Sequence, residues 1–152
     1  MLMAFYGEQW TTTSIRRSVV EHSGIPGYDI GTTWEDLAYA AQKRGFDTLG
    51  LFDGMGGYKK WTFEQLAGEL VQGRPVMLLV RFWSLPGHAE KEWWGDHYII
   101  VLGTTPDGDF FYHDSAWRKG EGSYRTISRQ QLERAWTRTS VNIQYSAMVL
   151  GW

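Results

Sequence analysis

Helical spacing of apolar residues dominates the first half of this chain, and short strand-forming runs dominate the second. Residues 1–6 (MLMAFY) are wholly apolar and predict the last turns of a buried helix, closed by Gly7. A short helix is expected from Ser14 to about His22, stopped by Gly24 and Pro26. Three more helices are marked by capping boxes, in which an N-cap hydroxyl and the N3 side chain satisfy each other's free backbone N–H groups. Thr33-Trp34-Glu35-Asp36 opens one with Leu37, Ala40 and Ala41 on one face, ending before Gly45. Thr62-Phe63-Glu64-Gln65 opens another with Leu66 and Leu70, ending at Gly73. Ser128-Arg129-Gln130-Gln131 opens the third with Leu132 and Trp136.

Residues 75–82 (PVMLLVRF) form a continuous apolar run and predict a central strand. Residues 97–103 (HYIIVLG) and 109–113 (DFFYH) flank Pro106-Asp107-Gly108 and predict an antiparallel hairpin. Residues 141–150 predict a closing strand. Helices followed by a mostly antiparallel sheet define an α+β fold. No repeat, low-complexity stretch or block of like charge divides the chain, so one domain over residues 1–152 is expected.

Composition narrows the function classes. A chain of 152 residues buries about 68–70% of its unfolded surface, enough for a core without metal or disulfide. The net charge of -2 gives no reason to expect a nucleic-acid partner. Arg118, Lys119, Arg125, Arg129, Arg134 and Arg138 are interleaved with acidic and polar residues and read as a solvated face. No apolar run approaches the roughly 18 residues of a membrane span. The absence of cysteine excludes disulfides, thiolate metal sites and a thiol nucleophile within these residues. Nine tryptophans serve mostly the core, but the segment 83–94 (WSLPGHAEKEWW) forms a polar, aromatic-edged loop just before His97. Trp83, Trp94 and Asp96 are therefore candidate substrate-binding residues.

If the hairpin loop spans residues 104–107, Gly103 pairs with Gly108 and His97 falls directly opposite Asp114. His113 then points to the other face, and a register slip of one residue would exchange the two. A carboxylate that orients an imidazole fixes its tautomer and stabilises the imidazolium formed when it takes a proton. Such a pair is two thirds of a nucleophile–base–orienter triad; equally, a His and an Asp at a strand end can be a structural pair. His88, His97 and Asp114 could in principle ligate zinc. Yet His88 lies in the loop Leu85-Pro86-Gly87-His88 and no paired-His signature stands on one element, so neither metal nor cofactor is expected. Ser115 and the hydroxyls of residues 11–14 have no evident base partner and are explained by caps and turns.

The stretch Trp94-Gly95-Asp96-His97-Tyr98-Ile99-Ile100-Val101-Leu102-Gly103, followed by Phe111-Tyr112-His113-Asp114-Ser115, resembles the His and Asp motifs of bacterial papain-like cysteine peptidases. The group is family 39-like, related to the peptidases that trim double-glycine leaders from bacteriocins. Gly73-Arg74-Pro75-Val76 is similar to the family's strand before the His motif. Gly31-Thr32-Thr33 with its helix and the closing helix over residues 128–136 also fit, so the resemblance covers nearly the whole chain. It implies a papain-like fold, hydrolysis of a peptide or protein substrate by a Cys-His-Asp triad, His97 as general base and Asp114 as its orienter. It also implies a bacterial secreted or cell-surface setting. The departure is the nucleophile. The family's Cys begins the first helix, with an oxyanion-hole Gln a few residues earlier, and residues 1–7 look like the tail of that helix. Either the chain is a fragment that starts at an internal Met, or it is a degenerate peptidase that binds peptide or cell-wall glycan through an aromatic cleft. The first is favoured because a buried helix is cut rather than replaced. In both, the chain as given is predicted to be inactive, with its cleft between that helix start and the His97/Asp114 hairpin. The sequence does not select a substrate or an oligomeric state.

Overall fold

All three capping boxes close. The computed structural model describes residues 1–25, 31–88, 95–118 and 120–152. Along the chain come helices α1 (Leu2–Phe5), α2 (Thr12–Ser23) and α3 (Trp34–Gln42), strand β1 (Asp47–Leu49), helix α4 (Phe63–Val71) and strands β2 (Val76–Arg81), β3 (Asp96–Thr104), β4 (Phe110–Asp114) and β5 (Arg125–Ile127). Helix α5 (Arg129–Thr137) and strand β6 (Ala147–Gly151) complete the order. Thr33, Thr62 and Ser128 each accept from the N3 backbone N–H, while Asp36, Gln65 and Gln131 reach back to the cap. Helix α2 starts at Thr12, two residues before its expected start, because the Thr11 hydroxyl caps it through Ser14 N. It ends at Gly24, whose left-handed backbone is cheap only without a side chain; Pro26 lies outside the described residues.

The chain divides into two compact units, Met1–Leu49 with Leu150–Trp152, and Gly50–Val149. In the smaller unit α2 and α3 pack together, joined by Tyr39 Oη donating to Glu21 (3.0 Å) and by a Lys43–Glu21 ion pair. Trp34, Ala38, Ala40, Ala41 and Phe46 are buried there, and Tyr6 Oη donates to Leu150 O (2.8 Å). Residues 1–6 are not buried all round: only Leu2 is buried, while Phe5 is 58% exposed. Four helical residues present only about one turn, and one turn cannot bury every side.

The larger unit is built on antiparallel strands in the order β6-β2-β3-β4-β5. Its core lies on one sheet face, where Leu78, Val80, Ile99, Val101, Tyr112 and Ala147 meet Leu66 and Leu70 of α4 and Leu132 and Trp136 of α5. The Trp136 indole N–H donates to Ser146 O (2.9 Å), so the ring is buried without an orphan donor. Successive side chains of a strand alternate between faces. The positions that continue this apolar face at one end are therefore His97, opposite Val80, and Asp114, opposite Ile99. The core face becomes polar there, and that margin carries the site.

Two strands, β1 and β5, were not expected; each has three residues, too few for a period to register. The closing strand is shorter than residues 141–150. A 3-10 turn occupies Val141–Ile143 and Tyr145 has a positive φ of 58°, which breaks the extended backbone before Ala147. Burial predicts a sharp contrast within α4. Leu66→Ala should cost about 2–5 kcal/mol because Leu66 is fully buried. Val71→Ala, at a position 88% exposed, should stay within about 0.5 kcal/mol. Urea unfolding of both variants checks this.

Candidate active site

The hairpin does not pair as expected. Asp114, the last residue of β4, lies opposite Ile99 rather than His97. Two features cause the shift. The turn is longer, with Gly108 N donating to Thr105 O (3.0 Å) and Thr105 N to Asp109 O (2.8 Å), so the ladder begins at Thr104 and Phe110. A bulge between Val101 and Gly103 then adds one residue to β3. The net displacement is two residues, which preserves the face. His97 consequently reaches Asp114 along the diagonal, and its Nε2 stands 2.7 Å from Asp114 Oδ1. His113, paired with Ile100, belongs to the opposite face, where its ring meets Tyr124 edge-on.

Beyond Asp114 the chain turns instead of continuing opposite His97. The Ala116 amide folds back to donate to Asp114 Oδ1 (2.9 Å), and Asp114 N donates to Gly122 O (2.8 Å). A Cβ on Gly122 would lie 1.9 Å from Asp114 O, so this approach demands glycine. The second carboxylate oxygen, Oδ2, meets His88 Nε2 at 2.7 Å. His88 arrives by local chemistry. After β2 a 3-10 turn spans Phe82–Ser84, and His88 N then donates to Leu85 O (3.1 Å) across Pro86-Gly87. Proline second and a glycine of φ +82° third make this a type II turn. The turn lays the His88 ring on Phe82 (4.2 Å between centroids, stacked) and against Trp117 (4.9 Å). Phe82 also meets His97 edge-on at 5.3 Å.

An ionised carboxylate only accepts hydrogen bonds, so both histidines donate through Nε2–H. For His97 that tautomer leaves Nδ1 as the basic nitrogen. Burial pushes the Asp114 carboxyl up, but the hydrogen bonds from His97, the Ala116 amide and His88 outweigh it and hold the pKa at about 2. The side chains of Asp114 and His88 are sealed (0% and 2% exposed), while His97 retains 13%. His97 is therefore the member of this trio that can exchange a proton with something outside. Neither histidine aims its Nε2 at a shared metal position, since both are committed to the carboxylate. Among the described residues no group of three or more His, Cys, Asp or Glu is arranged to hold a metal ion.

Of the candidate substrate-binding residues, Trp83 is half-buried in the 3-10 turn with the Arg138 guanidinium 5.0 Å above its ring. Asp96 is paired with Arg81 (3.3 Å), and burial raises its carboxyl above the usual range. Trp94 lies outside the described residues. Sequence reading missed His88 as a partner of Asp114. It also missed a second His–Asp pair, in the smaller unit: His22 Nδ1 lies 2.8 Å from Asp36 Oδ1. Asp36 Oδ2 accepts from Thr33 N, so this pair is an extension of a helix cap that ties α2 to α3.

The larger unit is thus an antiparallel sheet with helices on one face and a His–Asp pair at its margin. A solved structure described as a C39-like peptidase from Bacillus anthracis superposes with a TM-score of 0.62 over 99% of this chain and 84% of that one, at 14% identity; at that identity the likeness concerns the fold alone. No curated protein matches the chain. The model of the Peptidase_C39 like family matches residues 1–142, and the chain belongs to that family.

The low pKa of Asp114 carries a sign. A carboxyl held below its unfolded value contributes stability that is full above the ordinary carboxylate range and lost as pH falls towards about 2. Melting temperature should accordingly drop over that acid window. Asp114→Asn should be destabilised at neutral pH yet show a shallower acid limb.

Proposed function

We propose that this domain supplies the base and orienter of a cysteine-peptidase centre, with His97 as general base and Asp114 as the group that holds it. The observation that carries this reading is the 2.7 Å contact between His97 Nε2 and Asp114 Oδ1 in a chain of the Peptidase_C39 like family. The 152 residues contain no cysteine, so the thiol would have to come from residues outside them. In that setting His97 Nδ1 takes the thiol proton, and the thiolate attacks the carbonyl carbon of a peptide bond. The tetrahedral intermediate collapses to a thioester as the imidazolium gives its proton to the leaving amine. Water, deprotonated by the same Nδ1, then releases the acid and restores the thiol. Asp114 stays ionised throughout and stabilises the imidazolium. The substrate class is peptide or protein, and we place Trp83 and Asp96, on the turn after β2 and beside His97 in β3, at the border of its groove.

A second reading has one observation in its favour, the absence of cysteine itself. On it the domain binds peptide or cell-wall glycan without cutting.

Peptide cleavage assays separate the two. The 152-residue chain should show no cleavage. A longer product that carries a cysteine ahead of these residues should cleave in a thiol-dependent way, and in it His97→Ala should lower kcat by about 10²–10⁴-fold. Cleavage by the 152 residues alone, lost in His97→Ala, would contradict the assignment of the nucleophile. No thiol-dependent cleavage by the longer product would leave the binding reading.

A further inference from the structure

A catalytic His–Asp pair needs one carboxylate oxygen aimed at the imidazole; here the other oxygen is also spoken for. We propose that His88 is a positioning residue for this pair: a buried imidazole whose Nε2–H clamps Asp114 Oδ2 so that Oδ1 remains aimed at His97 Nε2. Three observations carry this. The two histidines approach the two oxygens of one carboxylate at the same 2.7 Å distance, so Asp114 cannot turn about its Cβ–Cγ bond without breaking both contacts. His88 is buried, and its Nδ1 meets no hydrogen-bond partner among the described residues. The ring is wedged between Phe82 and Trp117, so its Nε2–H donates to Asp114 from a fixed position. His97, by contrast, is partly exposed.

The surroundings of His88 are built to hold it still. Gly87 has no room for a side chain, because a Cβ there would lie 2.7 Å from the Trp117 ring. The Arg125 guanidinium covers the same Trp117 ring at 3.8 Å and donates to Glu121 O (3.3 Å). Among the described residues, the Arg81–Asp96 ion pair on β2 and β3 also lies at this margin. Phe82 supports both histidines at once, stacked on one and edge-on to the other. Phe82, the two histidine rings and the carboxylate form one packed unit, in which a change at His88 reaches His97 through Asp114 and through Phe82; His88→Phe keeps the ring contact, so it isolates the Asp114 route.

The clamp deepens the proposed peptidase reading and depends on it only for its catalytic meaning. The test uses the 152-residue chain, labelled with ¹³C and ¹⁵N, and needs no activity. His88→Phe keeps the stacked ring and removes the donor; His88→Gln restores a donor at the same reach. In His88→Phe the Asp114 pKa, followed by its carboxyl ¹³C shift, should rise by roughly 1–2 units, and the His97 Nε2–H should exchange faster with water. His88→Gln should return both towards the parent. If His88→Phe does not fold, His88→Gln and His88→Met, similar in shape but not in donor, make the same comparison. A folded variant without the donor in which Asp114 and His97 behave as in the parent would overturn the clamp. In a thiol-containing, active form, loss of the donor should lower kcat and leave KM unchanged. Absence of cleavage in the parent would count against the peptidase reading alone.

Discussion

One buried carboxylate organises one margin of the larger unit's sheet. Asp114 is sealed from solvent, and a charge in such a place survives only if its oxygens are hydrogen-bonded. It receives three donors: His97 and the Ala116 amide on Oδ1, and His88 on Oδ2. Each comes from a different stretch of chain, the middle strand, the turn after β4 and the turn after β2. Satisfying one carboxylate therefore fixes the relative positions of three segments. The same donors that make the charge tolerable also make it acidic. Asp114 is thereby kept as an anion that can hold and stabilise an imidazolium without taking its proton.

The fold delivers this arrangement by letting the core face run out. Along β2, β3 and β4 the buried face is apolar through Leu78, Ile99 and Tyr112, and the next positions on it are Val80, His97 and Asp114. Helices α4 and α5 pack on that face, so the strands are held by burial and the polar pair inherits their rigidity. The second His–Asp pair, His22 with Asp36, shows what the same chemistry does elsewhere. There the carboxylate also closes a capping box, and His22 stacks on Tyr39. A short His–Asp distance alone does not mark a site: His22 is the more exposed histidine, 38% against 13% for His97, yet its carboxylate is engaged in a helix cap.

Much of the secondary structure was legible because it rests on local chemistry. The three capping boxes, the αL cap at Gly24 and the β2 run are written in consecutive residues. The α+β class followed from their order, and family membership agrees with the His and Asp motifs. The register of the β3–β4 hairpin was not legible, since a bulge adds a residue without altering the alternation that reveals a strand. His97 and Asp114 meet despite that error because a displacement of two keeps the face. His88 was weighed with His97 and Asp114 only as a possible zinc ligand and otherwise read as a loop histidine. Its contact with Asp114 spans 26 positions and depends on a turn, a glycine and a tryptophan whose meeting no local pattern encodes.

No helix among the described residues is long and apolar enough to cross a membrane, and the likeness to the Bacillus anthracis structure extends to fold alone. What this chain itself contributes to the margin is the set of hydrogen bonds around Asp114. Their most direct measurement is the ring ¹⁵N spectrum of the parent chain near neutral pH, with the histidines assigned. Both His88 and His97 should carry the proton on Nε2, with slowly exchanging Nε2–H signals. A His97 ring protonated on Nδ1 alone, or a His97 Nε2–H as labile as that of an exposed histidine, would contradict the account.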